Sequence, residues 1–199
     1  MDFTSVSKKE KNLSSIRHPD ILTRKDTVLL IIDVQEKLAL VMEEKNKIIK
    51  NIKKLISLSH VLNLSILVTE QYSKGIGHLI LPLKEAIAEY YPIEKVTFSC
   101  FDEESFVKEL DKRKAKNLII TGMEAHICIL QTALNALCRG YKVHLPNDAV
   151  CSRQKNDWKV GIDKMRKAGV IITSTETVIF ELLEKANTPE FRTMLKVIK

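Results

Sequence analysis

With 199 residues, 45% of them hydrophobic and 29% charged, the chain has the make-up of one soluble globular domain, and disordered, collagen-like and fibrous classes are excluded. Its formal charge is +7, from 32 Lys and Arg against 25 Asp and Glu. The lysines are spread over most predicted helices, and six Phe, four Tyr and one Trp without an RNP-like or zinc-finger pattern supply no stacking platform, so a solvated surface is favoured over nucleic-acid binding while anionic substrates stay open.

Residues 1–26 lack periodicity and are expected to form an N-terminal arm leading into a single domain over 27–199. Residues 28–32, VLLII, form a continuous apolar run, the pattern of a strand buried on both faces, and it stops at Asp33. A helix is predicted over 45–62, where isoleucines and leucines share one face and lysines the other. Residues 65–69 are a second strand. The Gly75 and Gly77 segment over 70–77 makes a loop at its carboxyl end, followed by a short helix over 83–91 and a third strand over 94–98. A helix over 105–114 precedes strand four, 117–121.

The next helix runs from near Glu124 to Arg139, where Gly140 ends it. Strand five (142–145), a helix (157–167) closed by Gly169, strand six (170–173) and two terminal helices (175–183 and 189–197) complete the chain. Strands alternating with helices at this spacing predict a three-layer α/β/α fold. Its core is a six-stranded, parallel, doubly wound (Rossmann-like) sheet of order 3-2-1-4-5-6. In that order strands one and four meet at the switch point, which brings Asp33 beside the turn over 122–128.

That turn carries Cys128 in the first turn of a helix, where unpaired amides favour a thiolate. A cysteine beside a strand is most often a small buried hydrophobe, so the chemistry rests on convergence. Asp33 can take the thiol proton, and a nearby ammonium, for which Lys95 is the candidate, keeps the resulting charge tolerable. Cys138 lies at the wrong end of its helix, and Cys100 and Cys151 fall in loops. His126 and Cys128 stand two apart on a helix and do not face each other, which disfavours a Cys/His dyad.

The four cysteines include no CxxC pair and no secretory signal is apparent, which points to free thiols in a reducing, cytoplasmic setting. No apolar run approaches the roughly 18 residues that span a bilayer, so no membrane partner is expected. His18, His60, His78, His126 and His144 show no metal-ligand spacing, and neither GxGxxG nor GxxxxGK[ST] occurs. No metal and no cofactor are expected.

The set IIDVQ with Asp33, EKVTFS with Lys95 and GMEAHIC with Cys128 resembles the isochorismatase-like cysteine hydrolases, a family that includes nicotinamidase and N-carbamoylsarcosine amidohydrolase. TEQYSKGIG (69–77), DAVCSR (148–153) and MRKAGVIITSTE (165–176) are similar to the subgroup of isochorismatase domain-containing proteins, and the likeness covers 27–183. The resemblance implies an Asp33, Lys95 and Cys128 triad and a cis peptide at Met123–Glu124. It also implies an oxyanion hole from the Glu124 and Cys128 backbone N–H groups, and a homo-oligomer, dimer or tetramer. Gln35, Tyr72 and His126 are the expected substrate-binding side chains.

Metal-dependent nicotinamidases carry Asp-x-His after the second strand, whereas this chain has Glu70, Gln71 and Tyr72. The expected activity is therefore metal-independent cleavage of a C–N bond in a small amide, imide or ureido compound through a thioester. A binding or scaffold member of the fold is the alternative, and RNA binding or cleavage driven by the positive charge is a third reading.

Overall fold

Strand β1 (Thr27–Ile32) is buried along its whole length, and its alternating side chains divide between two cores. Leu29 and Ile31 join one layer, Val28, Leu30 and Ile32 the other. This is why the run shows no polar alternation: each face has a helical layer to pack against, and each such side chain contributes about 2 kcal/mol by leaving water. The computed structural model describes residues 17–199, so residues 1–16 of the expected arm lie outside the described residues. Residues 17–26 run along the C-terminal part of the fold, with Leu22 buried, Arg17 paired with Glu184 at 3.0 Å and Arg24 Nε donating to Leu182 O at 2.6 Å.

The chain continues through α1 (Glu36–Leu40), α2 (Lys45–Leu62), β2 (Ser65–Gln71), α3 (Ser73–Ile76), α4 (Leu81–Lys84), β3 (Ile93–Lys95), α5 (Glu104–Lys112) and β4 (Asn117–Met123). After it come α6 (Leu130–Cys138), β5 (Lys142–Pro146), β6 (Val150–Cys151), α7 (Lys155–Ala168), β7 (Ile171–Thr173), α8 (Thr175–Leu183) and α9 (Pro189–Ile198). The sheet is parallel, in the order β3-β2-β1-β4-β5-β7. The expected order is present with one addition: the two-residue β6 pairs with the end of β4, Gly122 against Val150 and Met123 against Cys151. Two residues carry no period, so β6 has no signature in the sequence.

Three departures from the expected boundaries have a visible cause. The helix over 83–91 shrinks to α4, because the chain tightens into three-residue turns at Ala86 and Ile87 and then opens toward Pro92, whose ring disfavours helical geometry before it. Strand β3 ends at Lys95 rather than at Phe98, since the Thr97 and Phe98 carbonyls turn back to the Lys95 ammonium. The helix after β4 starts as one wide turn, Ala125–Ile129, in which Ile129 N–H reaches Glu124 O at 3.3 Å.

Two glycines let these parts approach. Gly122 sits opposite Ile32 with φ 123°, where a Cβ would stand 2.0 Å from the Ile32 carbonyl oxygen. Gly161 of α7 packs on the wide turn, where a Cβ would be 3.0 Å from Ala125 O. No helix among the described residues is long and apolar enough to cross a membrane.

Candidate active site

Asp33 leaves β1 with φ 54°, a left-handed conformation that a short polar side chain tolerates, and is fully buried. Both carboxylate oxygens have donors: Thr69 Oγ1 donates to Oδ1 at 2.7 Å and Lys95 Nζ to Oδ2 at 2.7 Å. Lys95 is buried at the end of β3, and its ammonium also donates to Gln71 Oε1 at 2.7 Å, Thr97 O at 3.2 Å and Phe98 O at 3.3 Å. An ammonium has three N–H groups, so four acceptors saturate it. Burial works against the Lys95 charge, but Asp33, followed by Cys100 and Cys128, outweighs it and raises the pKa. Lys95 is a fixed cation with no donor to spare.

Cys128 lies in the wide turn after β4, 7% exposed, with its thiol against the Asp33 carboxylate. The pull of the helix start toward a thiolate does not prevail. Burial, and then the negative charge of Asp33, push the Cys128 thiol far above the ordinary range, outweighing the pull of Lys95. The resting group is a neutral thiol beside a carboxylate. Cys100 and Cys151 are also buried, and burial first of all drives both thiols up to about 12, while Cys138 is exposed.

The Met123–Glu124 peptide is cis. The Glu124 carbonyl takes Ile127 N–H and Ile129 N–H. The buried Glu124 carboxylate turns away from the thiol to the segment after β6, accepting from Arg153 N–H at 2.9 Å and from Arg153 Nε at 3.1 Å. His126 is tied to the same segment, its Nδ1 2.9 Å from Ser152 Oγ. Two side chains of the turn thus brace it against residues 152 and 153.

Gln35, expected at the substrate, is fully buried and committed to the backbone. Its Nε2 donates to Gln71 O at 3.0 Å and Gly77 O at 2.6 Å, and its Oε1 accepts from Gln71 N–H at 2.7 Å. With every polar atom of the amide engaged, Gln35 braces the loop after β2 and has nothing left for a ligand. Tyr72 stands on that loop, 54% exposed, its N–H on Lys95 O at 2.9 Å and its ring lying over Gly75. Glu70 anchors the far end of the loop by accepting from Leu79 N–H at 2.7 Å, from His78 Nδ1 at 2.9 Å and from the Tyr90 hydroxyl.

Sequence reasoning missed Thr69 and Gln71, which hold Asp33 and Lys95, and Ser152 and Arg153, which hold the turn. Their only signal was membership of the TEQYSKGIG and DAVCSR stretches. No group of three or more His, Cys, Asp or Glu among the described residues is arranged to hold a metal ion.

The isochorismatase domain profile matches residues 27–177. The chain belongs to the isochorismatase family. It is 33% identical over 177 residues to isochorismatase family protein 1B of Dictyostelium discoideum, covering 87% of this chain and 86% of that relative. Among solved structures it is similar to the MAR1 ribonuclease of Caenorhabditis elegans, with TM-score 0.83 and 36% identity over 89% of this chain and 91% of that one. It is also similar to Escherichia coli YcaC, described as an octameric hydrolase of unknown specificity, with TM-score 0.84 and 25% identity over 92% of each chain. As a member of the family the chain is an isochorismatase-like hydrolase, and its fold is the family's α/β sheet.

Proposed function

We propose that the protein is a metal-independent cysteine hydrolase that cleaves a C–N bond in a small amide, imide or ureido compound, with Asp33, Lys95 and Cys128 as its catalytic residues. The observation that carries this reading is the buried Cys128 thiol held against the Asp33 carboxylate, which also accepts from the saturated Lys95 ammonium at 2.7 Å. Asp33 takes the thiol proton as the sulfur adds to the substrate carbonyl. The oxyanion forms between the Glu124 N–H and the Cys128 N–H, where loss of one donor costs about 3 kcal/mol of transition-state stabilisation. Asp33 returns the proton to the leaving nitrogen, and water then releases the acyl group from the thioester.

Lys95 stays charged: it donates to the Asp33 carboxylate that takes the proton and offsets negative charge on sulfur during the transfer. Tyr72 and His126 are the candidate substrate contacts. The protein is proposed to act as a cytoplasmic homo-oligomer, a dimer or tetramer, which light scattering on the purified chain checks. Intact-mass trapping of acyl adducts with a panel of small amides and imides tests the chemistry. An adduct on the wild type and none on Cys128→Ala is the expected result; turnover that survives Cys128→Ala rejects the nucleophile.

RNA cleavage is the second reading, favoured by the name of the C. elegans relative at 36% identity and by the +7 charge. Buried Cys128 offers little room for a polynucleotide. Incubation of the protein with a labelled RNA distinguishes the two: cleavage that is salt-sensitive and lost in Cys128→Ala installs the ribonuclease reading.

A further inference from the structure

Strand β3 is three residues long and pairs only with Thr69, Glu70 and Gln71. Among the described residues the first half of β2 therefore has β1 on one side and no strand on the other. Asp33 N–H donates to Thr69 O on the β1 side, while Tyr72 N–H donates to Lys95 O on the β3 side. Backbone groups of successive residues alternate in direction along a strand, so Ile66 and Val68 project outward. Since β3 starts opposite Thr69, the Ile66 N–H and C=O and the Val68 N–H have no strand partner on that side among the described residues.

These open groups face a groove of about 1260 Å³. One wall is α5 with Arg113 just past its end, where Lys108, Lys112 and Arg113 outnumber their carboxylate partners Glu104 and Glu109. The other wall is the end of α2 and the loop before β3, with Leu64, Ile87 and the 82% exposed Tyr91. Phe106 and Leu110 anchor α5 in one core layer and Leu64 and Ile87 belong to the other, so the walls lie on opposite faces of the sheet. A strand added beside β2 would send alternate side chains to the two walls.

We propose that this groove binds an extended segment of a partner protein by strand addition to β2, with acidic residues alternating with apolar ones. The exposed edge supplies main-chain affinity. The acidic side chains meet the cationic α5 wall and the apolar ones meet Leu64, Ile87 and Tyr91, while Glu89 on the apolar side disfavours the opposite register. A second copy is a poor occupant, because its own helical layers would collide with walls that rise on both sides of the edge. Residues 1–16 are a poor one too, since Lys8, Lys9 and Lys11 against Asp2 and Glu10 repeat the charge of the α5 wall.

The probe is a fluorescein-labelled octapeptide alternating glutamate and valine, followed by anisotropy with the full chain. Binding in the range of about 10 to 100 µM is expected, with slowed hydrogen exchange at the Ile66 and Val68 amides. N-methylation of alternate peptide amides weakens it at least about tenfold by removing edge hydrogen bonds, and Lys108→Glu/Lys112→Glu weakens it about tenfold while favouring a lysine–valine peptide. Hydrolase activity is unchanged in that double variant. No binding at millimolar peptide overturns the proposal, as does binding indifferent to N-methylation and charge reversal. It is equally overturned if the Ile66 and Val68 amides are already protected and open on deleting residues 1–16, which makes the arm the occupant, or open on dilution, which makes it a second copy.

Discussion

Asp33, just past the end of β1, and His144, within β5, are both buried polar side chains, and the protein treats them in opposite ways. Asp33 receives a donor on each oxygen, Thr69 on one and the Lys95 ammonium on the other. His144, on β5, has no partner for either ring nitrogen among the described residues, and burial, then Lys142, push its pKa down to about 4, against a pull from Asp20. At the carboxyl end of the sheet, loops and the ends of β2 and β3 deliver polar atoms to a charge. In mid-strand the backbone is consumed by the ladder, and a polar ring survives only by staying neutral.

The comparison breaks most visibly at Lys95. Lys95→Met leaves the Asp33 carboxylate buried without its counter-ion and is expected to cost about 3 to 5 kcal/mol. Asp33→Asn/Lys95→Met recovers most of that loss but no turnover. Urea unfolding of the three proteins reads the difference; a single variant as stable as the wild type shows that Asp33 does not depend on the pair.

His144 breaks it from the other side. Its folded pKa of about 4 lies below the ordinary 6.5, so the unfolded chain binds more protons between these values. The contribution to stability is present above pH 6.5 and is lost as pH falls toward 4, by about 3 kcal/mol. In His144→Leu this share of the acid sensitivity disappears, and the urea midpoint, followed from pH 7.5 to 4.5, declines less than in the wild type. Parallel declines in the two proteins refute a neutral buried imidazole.

Glu124 sharpens the comparison, being a third buried group with a single cationic partner. Arg153→Met is expected to cost about 1 to 2 kcal/mol in stability and to lower kcat about tenfold with little change in KM, because it loosens the turn that presents the Glu124 amide. A rise in KM alone would instead make the pair a substrate contact. The smallest effect is on reactivity. Alkylation of Cys128 by iodoacetamide, followed by peptide mass spectrometry, is expected to have its midpoint above the ordinary pH 9.0, and Asp33→Asn to bring it down by removing the charge that opposes the thiolate.

Much of the fold was legible because its main strands are apolar runs of at least four residues and its longest helices carry a clear 3.6-residue stripe. Asp33 and Cys128 were legible as the residues that end β1 and open the helix after β4. Gln35 was misread, since an amide near a site in sequence shows nothing of where its two ends point; here they hold Gln71 and Gly77. Thr69, Gln71 and Arg153 carried no local sign, because their partners are 24 to 36 residues away along the chain.

The sequence by itself determined the parallel α/β architecture, the strand order and the residues that meet where the winding reverses, because burial periodicity and right-handed crossovers leave few alternatives. Only the tertiary structure decided the state of those residues. Whether Cys128 rests as thiol or thiolate depends on how deeply it is buried and on a carboxylate from another strand. Whether Lys95 is a proton donor or a fixed charge depends on four acceptors drawn from three separate segments. Charge in a protein interior is set by what lies within a few ångströms in space, and that distance is not written along the chain.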